Sequence, residues 1–114
     1  MNVPQPNIDD MHRVYKNMVA RFDPMQGIMW TYFDTRPRPC VTMDLLDEYL
    51  SCQRIVTQVD RIALETEKDC PIRFHVLASN TPGIYSLGGD LYLFKRCIET
   101  RDRETLRKYA LACI

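Results

Sequence analysis

Apolar residues recur along the chain at two spacings, which predict most of its elements. Residues 18–22 and 28–33 are rich in β-branched and aromatic residues. The turn-forming run DPMQG (23–27) separates them, so together they predict a β-hairpin. A similar run at 72–79 leads into the turn signal NTPG (80–83) and predicts a further strand.

One long amphipathic helix is predicted between the hairpin and that strand. Thr42 is a suitable N-cap, and Asp44 lies favourably in the first helical turn. Apolar residues then recur at steps of three and four for about five turns. This stripe consists of Leu45, Tyr49, Cys52, Val56, Val59 and Ala63. Such a stripe faces a core, and it indicates packing rather than chemistry.

Two shorter helices are predicted in the last part of the chain. The first follows Gly88-Gly89-Asp90, after which apolar residues lie close to helical spacing. The second begins after Asp102, a potential N-cap with Glu104 in the first turn. Its buried side is predicted to consist of Leu106, Tyr109, Ala110 and Cys113.

Two single residues admit a structural and a functional interpretation. Trp30 is predicted to be a core residue rather than a ligand platform, because large aromatic side chains mainly serve packing. His75 could act as a general base, but no nucleophile with an orienting carboxylate is evident beside it. A hydrogen-bonded structural histidine is therefore favoured.

These elements predict a single α/β domain preceded by a leader. Residues 1–10 contain two prolines and two asparagines with little apolar character. A flexible leader is therefore predicted over residues 1–16, and a folded domain over residues 17–114. A chain of 114 residues allows one domain at most.

Charge and hydropathy argue against several classes of partner. Fifteen acidic residues balance fifteen Lys and Arg, for a formal net charge of zero. The two signs are interspersed, so neither nucleic acid nor an anionic membrane is an expected partner. No apolar run approaches the length of a membrane span.

The cysteines predict free thiols in the cytoplasm. They number five, an odd count, and are widely spaced with no C-x-x-C pair. A disulfide framework or a zinc site has a different pattern. No metal site is therefore expected.

The turn at Gly88-Gly89-Asp90 is the stretch of the sequence with a candidate chemistry. A strand followed by a glycine pair at a helix start leaves backbone N–H groups at the positive end of the helix dipole. Such a position favours an anion or a polarised carbonyl oxygen. From this argument alone, ordinary turn geometry remains the more common interpretation.

The run VLASNTPGIYSLGGDLYLF (76–94) resembles the first signature of the crotonase (enoyl-CoA hydratase/isomerase) superfamily. Within it, the sequence resembles the bacterial synthases of diffusible-signal-factor fatty acids. The matching order is VLAS, an aromatic residue, LGGDL, LF and a cysteine near the end of basic helices. These are residues 76–79, Tyr85, residues 87–91, residues 93–94 and Cys113. The resemblance continues upstream through Arg38-Pro39-Cys40 and covers about Arg21 to Ile114.

The resemblance implies a role for each residue of the turn. Gly89 would be the backbone oxyanion-hole donor to a thioester carbonyl. Gly88 would permit the turn, and Asp90 would lie in the first turn of the helix. The carbonyl group of Leu87 would meet the adenine of coenzyme A.

The resemblance also gives a candidate role to the proline-rich stretch before the long helix. Arg36 or Arg38 would present a guanidinium group to the phosphate end of an acyl carrier, although two solvated loop arginines are equally consistent with the sequence. The superfamily pattern has asparagine and alanine where this chain has Val41 and Thr42. This departure from the superfamily pattern argues against coenzyme A specifically as the carrier.

By this resemblance, the chain corresponds to the N-terminal portion of a crotonase ββα spiral, ahead of the second N–H donor and the catalytic glutamates. Glu99 and Glu104 lie in polar surroundings and are predicted to be solvated surface carboxylates. An exposed sheet edge and apolar helix faces are expected, and with them self-association.

Three interpretations follow. The first is an acyl-thioester enzyme that dehydrates and hydrolyses 3-hydroxyacyl thioesters, with its other half supplied elsewhere. The second is a non-catalytic acyl-thioester binding or assembly module, and the third a truncated product without an independent role. The 114-residue chain by itself is expected to be inactive.

The implied ligands are acyl-CoA or an acyl-acyl-carrier-protein. Coenzyme A or phosphopantetheine serves as the substrate carrier, and no tightly bound cofactor is expected. The implied protein partners are further copies of the chain, in a trimer-type homo-oligomer, or a complementing C-terminal half.

Overall fold

A computed structural model describes residues 11–114, and within that range the protein is a mixed α/β structure. Four strands and three helices follow one another within these described residues. They are β1 (Arg13–Val14), β2 (Met18–Asp23), β3 (Ile28–Phe33), α1 (Met43–Glu65), β4 (Phe74–Ser79), α2 (Leu91–Glu99) and α3 (Arg103–Ala112).

The four strands form one sheet in the order β1-β2-β3-β4. The predicted hairpin is confirmed, because β2 and β3 pair antiparallel with Met18 opposite Phe33 and Asp23 opposite Ile28. β4 pairs parallel with β3 on its other side. β3, α1 and β4 therefore make a βαβ unit, in which the helix connects two parallel strands.

The hairpin turn is fixed by an aspartate and a glycine. Asp23 accepts hydrogen bonds from the N–H groups of Met25 and Gln26 through Oδ1, at 3.0 and 3.2 Å. Gly27 has a φ of +68°, and a Cβ there would lie 2.9 Å from Cγ of Arg73. Glycine is required at this position by both its conformation and its surroundings.

α1 covers one face of the sheet, as its apolar stripe predicts. Thr42 caps the helix by accepting a hydrogen bond from the N–H of Leu45 at 3.1 Å. The main core cluster combines residues of α1 with residues of β2 and β3. Its buried members are Met11, Met18, Ala20, Phe22, Met29, Leu45, Cys52 and Val59.

A smaller cluster packs α2 and α3 against the beginning of α1. Its buried members are Leu93, Cys97 and Tyr109, with Met43, Leu46, Phe94 and Leu106 around them. Asp102 caps α3 as predicted, accepting from the N–H of Thr105 at 3.1 Å. Bonds from the backbone and hydroxyl of Thr105 lower the pKa of Asp102.

Several predicted burial assignments are corrected by the structure. Trp30 is only partly buried and belongs to neither core cluster, because it lies on the sheet face opposite Met29 and α1. Ala110 and Cys113 are exposed, since α3 packs mainly through Tyr109 and Leu106.

The predicted leader overlaps the fold at its end. Residues 1–10 lie outside the described residues. Met11 is buried in the main cluster, and Arg13 and Val14 pair antiparallel with Ala20 and Val19. Residues 11–16 therefore contribute to the sheet and the core.

The helices of residues 11–114 are all too short or too polar to cross a membrane. The five cysteines are free thiols.

Candidate functional site

The glycine turn lies between β4 and α2, and Gly88 sets its backbone course. Gly88 has a φ of +89°, the left-handed region that favours glycine. Its N–H donates to Oγ of Ser86 at 3.0 Å. A Cβ at Gly88 would meet nothing within 4 Å, so this side of the turn is open.

Gly89 presents a free donor at the start of α2. Within residues 11–114, no group accepts a hydrogen bond from the N–H of Gly89. Asp90 is the N-cap of α2 and accepts from the N–H of Leu93 at 3.2 Å. The unpaired N–H of Gly89 thus lies just ahead of the positive end of the α2 dipole.

The space beside Gly89 is occupied by an aromatic ring. A Cβ at Gly89 would lie 3.0 Å from Cε2 and Cζ of Phe94. The packing of Phe94 against the turn therefore explains a glycine at this position without reference to a ligand.

The proline-rich crossing runs parallel to the glycine turn, although they are far apart in sequence. The N–H of Leu87 donates to the carbonyl oxygen of Pro39 at 2.8 Å, and the N–H of Val41 donates to that of Gly88 at 2.7 Å. Val41 and Gly89 form a parallel bridge. The structure thus brings together the two stretches that the sequence nominated.

Tyr109 fastens these two stretches to α3. Its hydroxyl donates to the carbonyl oxygen of Val41 and accepts from the N–H of Asp90 at 3.3 Å. Its ring packs edge-on against Phe94, with centroids 5.1 Å apart. Burial raises the pKa of Tyr109, which keeps the hydroxyl protonated as a donor.

Of the two candidate arginines, Arg38 lies at the turn. Nη2 of Arg38 is 3.7 Å from Oδ1 of Asp90, and its guanidinium carbon is 3.6 Å from the ring centroid of Tyr92. Arg36 instead pairs with Asp34, with Nε and Oδ1 3.2 Å apart, and its side chain is 82% exposed. Proximity to Asp34 raises the pKa of Arg36.

A shallow groove lies alongside Arg38. Its volume is about 370 Å³, and its lining residues are Arg38, Asp90, Tyr92, Leu93 and Arg96. Two guanidinium groups and one carboxylate give the groove a net positive charge, which suits an anionic ligand group.

Apolar side chains around the turn are exposed to solvent. Ile84, Tyr85, Leu87 and Leu91 are 39%, 56%, 63% and 71% exposed. Beneath them, a cavity of about 10 Å³ separates the crossing from the end of β4. This cavity has room for about one water molecule, so an apolar ligand would lie on the exposed side chains.

The two glutamates predicted to be surface carboxylates, Glu99 and Glu104, form surface ion pairs. Oε1 of Glu99 is 3.8 Å from Nζ of Lys95, and Oε1 of Glu104 is 3.8 Å from Nη1 of Arg107. Both side chains are more than 60% exposed. Among residues 11–114, no group of His, Cys, Asp and Glu side chains is arranged to hold a metal ion.

Sequence reasoning missed the roles of Tyr92 and Tyr109 at this site. The sequence predicts Tyr109 on the buried side of α3, but no local pattern indicates that its hydroxyl bonds to Val41. Tyr92 follows the turn directly, yet only the position of Arg38 makes it a stacking platform.

In comparisons with known proteins, no family model matches this chain, and no curated protein matches it.

Proposed function

We propose that this protein is a crotonase-class acyl-thioester protein that binds its ligand at the turn 87–90. The observation that carries this proposal is the N–H of Gly89, which has no hydrogen-bond acceptor within residues 11–114. In the proposed complex this N–H donates to the thioester carbonyl oxygen. The carbonyl gains negative charge as an enolate or tetrahedral oxyanion forms, and a fixed donor stabilises that charge.

The groove beside Arg38 is proposed to hold the phosphate end of the carrier. A guanidinium group binds phosphate through charge-assisted hydrogen bonds. Arg38 is held near the turn by Asp90 and Tyr92, and Arg96 lines the same groove. The carrier is coenzyme A or phosphopantetheine, and the acyl chain contacts the exposed apolar side chains around the turn.

The arrangement of elements also supports this class. A hairpin, a long helix, a parallel strand and a glycine turn into a helix follow in the order expected for the opening of a ββα spiral. The crossing at Pro39 lies against the turn, and the resemblance implies that both stretches contact the acyl carrier.

The proposed chemistry of the complete site is dehydration and thioester hydrolysis of a 3-hydroxyacyl group. That reaction needs a second N–H donor and a carboxylate acid/base pair. Glu99 and Glu104 form surface ion pairs, and Asp90 is engaged by Leu93 and Arg38. Those groups would come from outside residues 11–114.

The same observations favour a second candidate, a non-catalytic acyl-thioester binding or assembly module. We expect the purified chain to bind acyl thioesters without turning them over. Turnover by the purified chain would support the enzyme and exclude this second candidate.

Calorimetric titration with butyryl-CoA, and with the butyryl-loaded acyl carrier protein, tests the proposal. Gly89→Ala and Gly89→Pro both place a Cβ against Phe94, but only the proline removes the N–H. Gly89→Pro should therefore bind at least about tenfold more weakly than Gly89→Ala. Equal affinities would contradict a role for this N–H.

A second pair of variants tests the groove. Arg38→Gln should weaken butyryl-CoA binding about tenfold, because a charge-assisted bond to phosphate is lost. Arg36→Gln should leave the affinity within about twofold, since Arg36 pairs with Asp34. No binding of either butyryl thioester to the unmodified chain would overturn the proposed function.

A further inference from the structure

The outer edge of β4 carries a regular set of backbone groups that have no partner within residues 11–114. The N–H of Phe74 donates to the carbonyl oxygen of Gly27 at 3.1 Å, and the N–H of Asn80 donates to that of Phe33 at 2.9 Å. Both bonds point toward β3. Backbone groups alternate in direction along a strand, so Val76 and Ala78 also point toward β3.

The N–H and C=O groups of the three intervening residues therefore point away from the sheet. These residues are His75, Leu77 and Ser79. β4 is the last strand of the sheet within residues 11–114, and Leu77 and Phe74 are 38% and 57% exposed. An edge of this kind is a template for another strand.

The strand lacks the features that usually protect a sheet edge. β4 reads FHVLAS, with no proline, lysine, arginine, aspartate or glutamate. The opposite edge differs, because β1 has only two residues, of which one is Arg13. Natural proteins use short strands and charged residues to block edge pairing. β4 is thus the open edge.

We propose that β4 pairs antiparallel with β4 of a second copy of this chain, about a two-fold axis at Leu77. The three outward residues are symmetric about Leu77, so Leu77 meets Leu77 of the second copy and His75 meets its Ser79. Each such pair exchanges two hydrogen bonds, which gives about six across the interface.

The side chains of this register are compatible with a two-fold pair. On the α1 face, Leu77 lies against its copy, and on the other face Val76 lies against Ala78. No two like charges are directly opposite, an arrangement that would be destabilising. The zero formal net charge of the chain adds no long-range repulsion between copies.

The first measurement is amide hydrogen exchange by NMR across a range of protein concentrations. The amides of Leu77 and Ser79 should become more protected as concentration rises. Those of Val76 and Ala78 should be protected throughout, because they are bonded to β3. Unchanged exchange at Leu77 and Ser79 in a concentrated sample would overturn the proposal, as would a monomer in sedimentation equilibrium at every concentration.

Two variants distinguish dimerisation through the β4 edge from other modes of self-association. Leu77→Pro removes an outward N–H, which an edge strand tolerates, whereas Leu77→Ala keeps it. The dimer dissociation constant should rise about tenfold or more in Leu77→Pro and less than about threefold in Leu77→Ala. Circular dichroism checks that each variant is folded.

Leu77→Lys supplies an independent disruption, since it places two like charges opposite each other. Its control is Leu64→Lys on α1, where the leucine is already 74% exposed, and this control should dimerise like the unmodified chain. A dimer that survives both Leu77→Pro and Leu77→Lys would overturn the proposed edge. These outcomes are independent of acyl-thioester binding, which involves the turn rather than β4.

Discussion

His75 illustrates how a single side chain is fixed by its neighbours on the sheet and on α1. Nε2 of His75 is 2.8 Å from Oγ1 of Thr31, which is fully buried. The imidazole ring lies 5.8 Å from the ring of Tyr49. The hydrogen bond expected for a structural histidine is therefore present. Burial lowers the pKa of His75 from its ordinary value of 6.5, so the neutral form is favoured in the folded protein.

This shift predicts a pH dependence of stability. Below about pH 6.5 the unfolded chain binds a proton at His75 more readily than the folded chain does. The free energy of unfolding should therefore fall as the pH is lowered through 6.5 and below. Above pH 6.5 the contribution of His75 to stability should be fully present. Urea unfolding at several pH values should show a flatter dependence for His75→Gln. An identical slope in the variant would contradict the prediction.

Among the elements, α3 stabilises the candidate site by holding other segments in place. Tyr109 is 5% exposed and joins α3 to the crossing at Val41 and to the start of α2 at Asp90. Without its hydroxyl, two backbone groups would lose their partner. The cost of such unsatisfied groups exceeds the value of an ordinary hydrogen bond.

Tyr109→Phe should accordingly lower the free energy of unfolding by about 1–3 kcal/mol. The control is Tyr32→Phe, because the hydroxyl of Tyr32 bonds to no other group in the described part of the chain. That control should change stability by less than about 0.5 kcal/mol. Urea denaturation measures both, and equal losses in the two variants would argue against the role of Tyr109.

The described residues form a two-layer structure, and no helix or strand of residues 11–114 covers the second face of the sheet. The described residues extend over 52 × 36 × 18 Å. The shortest of these dimensions matches the thickness of one helix layer packed on one sheet. α1 covers the face with Met29 and Thr31, and the other face carries Trp30 and Tyr32, whose rings stack with centroids 6.0 Å apart. Neither core cluster includes these two rings.

The uncovered face predicts the behaviour of Trp30, the single tryptophan. Its fluorescence should be quenched by acrylamide in the folded protein to a substantial fraction of the quenching in urea. A tryptophan in the core would be shielded instead. Strong protection from acrylamide in the folded state would contradict the position of Trp30 on the open face.

The sequence by itself determined the elements that depend on neighbouring residues. Turn residues 23–27 specify the hairpin, and Thr42 with the apolar stripe specifies α1. The candidate turn was also evident, because a glycine pair before a helical pattern is a local signal. These features are encoded at spacings of a few residues, where backbone preferences and side-chain periodicity act directly.

Only the tertiary structure decided which distant segments meet. β3 is apolar on both faces, so its alternation did not show that Met29 faces α1 and Trp30 faces away. The pairing of the crossing with residues 87–89, and the bond from Tyr109 to Val41, join segments with no shared local pattern. Such contacts depend on how the packed elements align, and the same alignment leaves the outer edge of β4 without a partner strand in residues 11–114.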